Sequence, residues 1–222
     1  NLIFNKVGLP GILGMVVAVE GSPTSAVQTG FNYSAEGTAS KVVFVTELQG
    51  PVSALNPAAQ SFAVLGQPVR WTSTTLFEVN ASGATLPSRA SSALANGQYA
   101  EVYGLWDAET QTWQATRVEA STSAPSIYRL SAEVEAIDTT QRLITVGGQR
   151  ISWAGLSLDP AVTQGSRVRA SLNPVLQSGG LWVAQSLRLA DWRALPSLSE
   201  SAFEVDEVEL EGIVSGVSGT RF

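Results

Sequence analysis

The stretch from Leu48 to Trp71 reads LQGPVSALNPAAQSFAVLGQPVRW, and it returns from Leu130 to Trp153 as LSAEVEAIDTTQRLITVGGQRISW. The two copies align without a gap. Seven positions are identical: Leu48/Leu130, Val52/Val134, Ala54/Ala136, Val64/Val146, Gly66/Gly148, Gln67/Gln149 and Trp71/Trp153. A third copy opens at Leu210 with LEGIVSGV. Self-similarity at a fixed period is the signature of a repeat architecture, so the sequence predicts tandem modules.

Each copy reads as strand, turn, strand, turn, strand. The first strand stops at Asn56-Pro57, residues favoured at the first two positions of a type I turn. Leu65-Gly66 and Gly147-Gly148 stand where a two-residue hairpin needs positive φ. A link rich in Ser and Ala follows, and two further strands end the copy. Five strands with a longer link between the third and fourth predict an all-β chain of tandem, small OB-like five-stranded barrels.

This repeat divides the chain into four predicted parts. Residues 1–46 are the C-terminal part of a module, and residues 193–222 are a linker followed by the first strands of another. Residues 47–122 and 123–192 are each a complete OB-like module. The link is shorter in the second module, and length variation between matched strands predicts a surface loop over residues 72–96.

The composition excludes several classes of function. The chain contains no His and no Cys, which removes Ser-His-Asp and Cys-His catalysis and the usual zinc, haem and iron–sulfur sites. We therefore expect no enzyme, no cofactor and no metal. The acidic run from Glu200 to Glu211 is read as an exposed charged edge rather than a calcium site. A net charge of −6 argues against nucleic acid, and the absence of an 18-residue apolar run argues against a membrane-spanning helix.

The pattern GPVSALN…FAVLGQPVRW, followed by LANGQYAEVYGLWD…WQATRVE, resembles a bacterial family catalogued as domain of unknown function 5666. The resemblance covers nearly all of the chain and is strongest over residues 47–120. It implies small OB-like barrels in tandem, in a protein that is extracellular or held at the bacterial cell surface rather than periplasmic. It implies no known activity, and it defines no functional residues.

Aromatic residues offer the main candidate binding site. Four tryptophans recur at matched places and are expected to fill the cores rather than to stack on sugars: Trp71, Trp113, Trp153 and Trp182. Trp106 does not recur. Tyr99, Glu101 and Tyr103 share one face of a strand, opposite Ala100 and Val102, and we expect that face to be solvated. Together with Trp106 they are the candidate ligand-binding residues, for a glycan.

Two functional hypotheses follow. In the first, the protein is non-enzymatic and structural, and its part-modules complete each other between chains, so that copies join head to tail in a filament. The candidate assembly edges are Val42, Val43, Phe44, Val208, Leu210 and Ile213. In the second, the chain is a secreted OB-type binding module for oligosaccharide or a surface partner, with loops 72–96 and 104–112 as the contact region. The expected partners are therefore further copies of the chain or an extracellular molecule.

Overall fold

A computed structural model describes residues 13–25, 28–29, 32–33, 36–80, 91, 94–190 and 208–213. These residues are all-β and contain no helix, so the predicted fold class is confirmed. In the same residues, no helix is present that is long and apolar enough to cross a membrane. The strands are, in chain order, β1 (Val16–Ser25), β2 (Gln28–Thr29), β3 (Asn32–Tyr33), β4 (Glu36–Phe44), β5 (Leu48–Asn56), β6 (Ser61–Val64), β7 (Gln67–Arg70), β8 (Leu76–Asn80), β9 (Tyr99–Asp107), β10 (Thr112–Ser121), β11 (Tyr128–Asp138), β12 (Leu143–Val146), β13 (Gln149–Ser152), β14 (Arg167–Leu172), β15 (Leu181–Leu189) and β16 (Val208–Ile213).

The chain divides into two compact units. The first joins Asn1–Val45 to Trp192–Phe222, and the second is Thr46–Asp191. In the first unit, β1 pairs antiparallel with β4 on one side and with β16 on the other. Strands from the two predicted part-modules are therefore hydrogen-bonded in one sheet.

Five strands of the second unit close a barrel, here called barrel 1. β5, β6 and β7 pair in sequence, β7 pairs parallel with β10, and β10 pairs with β9, which returns to β5. Alternate residues of these strands, such as Val52, Val64 and Val102, are buried inside. The five strands form a closed ring, and this strand order is that of OB-type barrels.

The second copy of the repeat closes in the same order, as barrel 2. β11, β12 and β13 pair in sequence, β13 pairs parallel with β15, and β15 pairs with β14, which returns to β11. The last strand of each barrel carries a bulge at the same place, between Ala115 and Arg117 in β10 and between Ala184 and Ser186 in β15. A bulge bends a strand, which a ring of only five strands requires.

The turns follow the sequence signals. Leu65 and Gly66 have φ of 50° and 77°, and the matching Gly147 and Gly148 have φ of 52° and 74°. Positive φ at both central residues defines the hairpin turn whose twist matches that of the flanking strands. At the preceding turn, the Asn56 side-chain oxygen accepts a hydrogen bond from the Ala59 amide at 3.1 Å, which stabilises the reversal.

The barrels share a sheet through their first strands. β5 and β11 pair antiparallel, with Leu48 opposite Leu130 and Gln49 opposite Arg129. This junction makes one antiparallel sheet of six strands, β10-β9-β5-β11-β14-β15. Leu48 and Leu130 are buried in a core that is continuous across both barrels. Because these leucines occupy the same position of the repeat, the junction is approximately twofold symmetric.

Among the described residues of the second unit, one strand lies outside the rings. β8 pairs parallel with β10, with Phe77 opposite Val118 and Glu78 opposite Glu119. Arg117 is buried and forms ion pairs with Glu78 and, at 2.8 Å, with Glu119, so it ties β8 to the barrel. The prediction of a surface loop over residues 72–96 is therefore wrong at Leu76–Asn80, where the chain forms a strand.

Candidate functional site

Tyr99, Glu101 and Tyr103 lie on β9, on the face of the shared sheet opposite the core. The Glu101 carboxylate accepts hydrogen bonds from the Thr46 hydroxyl and the Tyr103 hydroxyl, both at 2.6 Å. Tyr103 is only 1% exposed. Burial raises the pKa of Tyr103 far above its usual value, and the neighbouring Glu101 carboxylate adds to that shift. The expectation of a solvated face is therefore wrong at Tyr103, because the ring is buried and its hydroxyl donates to Glu101.

Trp106 lies near the end of β9, and its ring contacts one aromatic side chain and one cationic side chain. Its ring packs edge-on against Trp113 at 5.5 Å between centroids. The Arg167 guanidinium, which comes from barrel 2, lies 4.1 Å from the centre of the Trp106 ring. Burial lowers the pKa of Arg167, and Glu47 and Glu133 oppose that shift. A cation over an indole ring is a favourable contact, and here it joins the two barrels.

Tyr99 makes the corresponding contact from barrel 1 to barrel 2. Its ring lies 6.2 Å from that of Tyr128, which in turn packs edge-on against Trp182 at 5.7 Å. Arg167 and Tyr99 hold the same position in the two copies, as do Trp113 and Trp182. The four predicted ligand-binding residues therefore do not form a single platform: Tyr99 and Trp106 pack at the junction, and Glu101 and Tyr103 bond to each other.

The recurrent tryptophans are part of the core, as predicted. All four are buried, and Trp113 is fully enclosed. Trp71 packs between Phe62 and Phe77, each with a centroid distance of 5.9 Å. Phe77 comes from β8, so the strand outside the ring covers this end of barrel 1.

Beside Trp153, which corresponds to Trp71, barrel 2 has a groove. The groove has a volume of about 670 Å³. It is lined by Ile137, Thr139, Trp153, Leu158, Asp159, Pro160, Val162, Thr163 and Gln164. Residues 128–190 are all described, and they contain no counterpart of β8. The groove lies between the end of β11 and the link that follows Trp153, and none of its lining residues belongs to β15.

The lining of the groove combines apolar walls with a few polar groups. Ile137 and Leu158 give it apolar walls, while Thr139, Thr163 and Gln164 supply hydroxyl and amide groups. The indole Nε1 of Trp153 is buried and has no hydrogen-bond partner among the described residues. Apolar walls with a few polar groups are typical of pockets that hold a small guest. Sequence reasoning missed this groove.

Among the described residues, no group of three or more Asp and Glu side chains is placed so that it could hold a metal ion. Most of the acidic run from Glu200 to Glu211 lies outside the described residues, and only its end enters β16.

The candidate assembly residues all lie on strands that pair with β1. Val42, Val43 and Phe44 are opposite Val19, Ala18 and Val17. On the other edge of β1, Val208, Leu210 and Ile213 are opposite Gly21, Val19 and Val16. These residues therefore belong to one sheet within the chain, and they flank the same central strand.

One ion pair that sequence reasoning missed joins the barrels. Glu47 is buried, and its carboxylate accepts a hydrogen bond from the Arg169 guanidinium at 2.9 Å. The two residues are 122 positions apart. A signal was present in the repeat, because the counterpart of Glu47 in the second copy is Arg129, a reversal of charge at a matched position.

These features define a class: an all-β protein in which two closed five-stranded barrels of OB order share one sheet. Residues 49–119 match the family model described as Domain of unknown function (DUF5666), which supports the assignment of barrel 1 to that family. No curated protein and no solved structure matches the chain.

Proposed function

We propose that the protein is a non-enzymatic structural β-repeat protein whose sheet of β16, β1 and β4 joins copies head to tail. The observation that carries this proposal is the order of those strands. β1 pairs with β16 on one side and with β4 on the other, as β9 pairs with β5 and with β10 in barrel 1. Leu210 opposite Val19 corresponds to Leu48 opposite Val102. The two segments therefore have the pairing of one module, although about 190 residues separate them.

Such pairing does not depend on which copy supplies β16. The hydrogen bonds between β1 and β16 are made by the main chain, and a neighbouring copy offers the same groups in the same register. A contact of this kind between copies is heterologous, and repetition of a heterologous contact whose rotation does not close a ring generates a fibre. The location, outside the cytoplasm or at a bacterial surface, is inferred from the family resemblance alone.

The test uses the absence of native cysteine. Val19→Cys and Leu210→Cys place two thiols at directly opposed positions of β1 and β16. Opposed strand residues lie within the Cα separation that a disulfide spans. After oxidation of assembled protein, denaturing electrophoresis should show a ladder of covalent multimers. A monomer with altered mobility would place the pairing within one chain and overturn the filament, and no disulfide at all would overturn the pairing itself.

A matched control is available in the β6–β7 hairpin. Ser61→Cys and Arg70→Cys are also directly opposed, and the intervening turn confines them to one chain. This pair should give a monomer under all conditions. Deletion of β16 should also leave a monomer, measured by light scattering and negative-stain microscopy.

The groove beside Trp153 favours a second candidate function, the binding of an oligosaccharide or a surface partner. Its apolar walls and hydroxyl-bearing rim suit a guest of one or two sugar rings. The test is a glycan array with the intact chain and with Leu158→Arg, which puts a charged side chain into the wall. Binding that the substitution abolishes, and that Arg150→Ala elsewhere on barrel 2 preserves, would support this function. Signal no higher than background for the parent chain would remove it.

A further inference from the structure

The junction between the barrels has the same backbone arrangement when viewed from either side. Leu48 and Leu130 face each other, and they are the same residue of the repeat. Exchanging the barrels would leave the strand pairing unchanged and put each side chain where its counterpart stood. A junction of two copies of one barrel would therefore make the same backbone hydrogen bonds as the mixed junction that the chain forms.

The charged side chains distinguish these junctions. Glu47 of barrel 1 pairs with Arg169 of barrel 2 at 2.9 Å. The counterpart of Glu47 is Arg129. The counterpart of Arg169 is Glu101, because Arg169 faces Ser131 as Glu101 faces the matching Gln49. Both charges are thus reversed between the two repeats.

Two like barrels would consequently oppose like charges. A pair of barrel 1 copies would bring Glu47 towards Glu101, and a pair of barrel 2 copies would bring Arg129 towards Arg169. Glu47 is buried, and a buried carboxylate without a cation is strongly unfavourable. Like-charge juxtaposition is an established way to reject a wrong partner.

Shape reinforces the charge pattern. The Gln67 amide of barrel 1 donates a hydrogen bond to the Gly147 carbonyl of barrel 2 at 2.6 Å. A Cβ atom on Gly147 would lie 2.4 Å from the Gln67 Nε2, so a side chain there would displace the amide from this bond. The counterpart of Gly147 is Leu65. Two copies of barrel 1 would therefore lose the hydrogen bond of Gln67.

The aromatic contact is also specific to the mixed junction. Arg167 of barrel 2 lies over the ring of Trp106 of barrel 1. The residue of barrel 2 that corresponds to Trp106 is Pro174, which has no aromatic ring to offer a cation. Two copies of barrel 2 would leave Arg167 without this contact.

We propose that each barrel carries a recognition surface around its first strand, which accepts a barrel of the other charge type and rejects a copy of itself. On barrel 1 it consists of Glu47, Gln67 and Trp106, and Glu101 supplies the charge that would oppose Glu47 in a pair of like barrels. The partner that fits it carries Arg at the positions of Arg167 and Arg169, with Gly at that of Gly147. Tandem modules of similar sequence are prone to misassembly and strand exchange, and a heterotypic junction prevents wrong pairing both within a chain and between chains.

The test reverses the charges of the buried pair in the intact chain. The variants are Glu47→Arg, Arg169→Glu and the double exchange, with Arg150→Glu as an exposed control. Amide hydrogen exchange is followed at the junction residues of β5 and β11, and separately in the β6–β7 and β12–β13 hairpins. Each single reversal should raise the exchange rate at the junction by at least about tenfold while the hairpins stay protected. The double exchange should return that rate to within about threefold of the parent chain.

Two outcomes would overturn the proposal. One is a junction that keeps its parental exchange rate in both single variants. The other is a double exchange that is no better protected than the worse single variant. If a reversal also exposes the hairpins, the neutral variants Glu47→Gln and Arg169→Gln replace it. Their effects on the junction should then be smaller together than the sum of the two alone, and simple additivity would contradict the proposal.

Discussion

Barrel 1 and barrel 2 differ most at the end where the third strand leaves the ring. In barrel 1 the link turns back as β8, and Phe77 packs edge-on against Trp71. In barrel 2 the link is shorter, and a groove lies beside Trp153. Trp71 and Trp153 are nonetheless both buried, so barrel 2 encloses its tryptophan without a counterpart of β8.

The difference extends to the last strand of each barrel. Arg117 of β10 holds Glu78 of β8, whereas the matching residue of β15 is Ser186. Val118, which faces Phe77, is fully buried, and its counterpart Leu187 is partly exposed. The five-stranded ring is therefore the common frame, and the strand outside it is an addition that needs its own aromatic anchor and its own ion pair.

The largest expected effect comes from removing that anchor. Phe77→Ala should lower the free energy of unfolding by about 4 kcal/mol, because a buried phenylalanine is lost and a cavity opens beside Trp71. Urea unfolding followed by tryptophan fluorescence measures the change. Phe62→Ala, on the other side of Trp71, is the matched control: it should destabilise the barrel without loosening β8. Equal amide exchange of Leu76–Asn80 in both variants would contradict this account.

Replacing the ion pair should have the next largest effect. Arg117→Ser gives barrel 1 the residue of barrel 2 and leaves Glu78 and Glu119 without their shared cation. Because both carboxylates retain some solvent contact, we expect a loss of about 3 kcal/mol, at the lower end for a broken buried pair. Hydrogen exchange should accelerate in β8 and stay slow in β6. A variant whose β8 keeps its protection would show that Phe77 alone holds the strand.

A smaller effect is expected at alkaline pH. Burial, then Glu101, raises the pKa of Tyr103, so the folded protein holds this proton at a pH where the unfolded chain releases it. The stabilisation is complete below pH about 10 and is lost as the pH rises further, by up to about 1.4 kcal/mol per pH unit. Urea unfolding between pH 8 and 11 measures it. Tyr103→Phe should reduce this slope, and the part that follows from the raised pKa of Tyr128 should remain. The counterpart of Tyr103 in barrel 2 is Ser171, which does not titrate in this range. An unchanged slope in the Tyr103→Phe variant would assign the pH dependence to another group.

Much of the frame could be predicted from the repeat. The Gly66 and Gly148 turns, the stop at Asn56 and the five-strand order all follow from local signals, because turn chemistry and alternation are properties of neighbouring residues. The burial of Trp71 and Trp153 also follows, since a small closed barrel needs a large side chain to fill it. These features are common to both copies, and each copy supports the interpretation of the other.

What escaped prediction depends on parts of the chain that the repeat does not share or that lie far apart. β8 has no counterpart in the second copy, so alignment of the two repeats predicts a loop insertion at this place. Alternation places Tyr103 opposite Val102, but it says nothing about what encloses the outer face of a strand. Trp106 reads as a free aromatic residue until Arg167, 61 positions later in the chain (167 − 106), is brought over its ring.

The pairing of β5 with β11 has a consequence for how the chain reaches its folded state. β5 can close barrel 1 as soon as β10 has been synthesised, but its edge at Leu48 is completed only by Leu130. During synthesis at about 5–20 residues per second, we expect barrel 1 to stand finished for a few seconds with that edge open. In this interval the only strand that could pair with it productively has not yet emerged. The order of translation thus makes the first barrel the template, and the second barrel folds against a surface that is already formed.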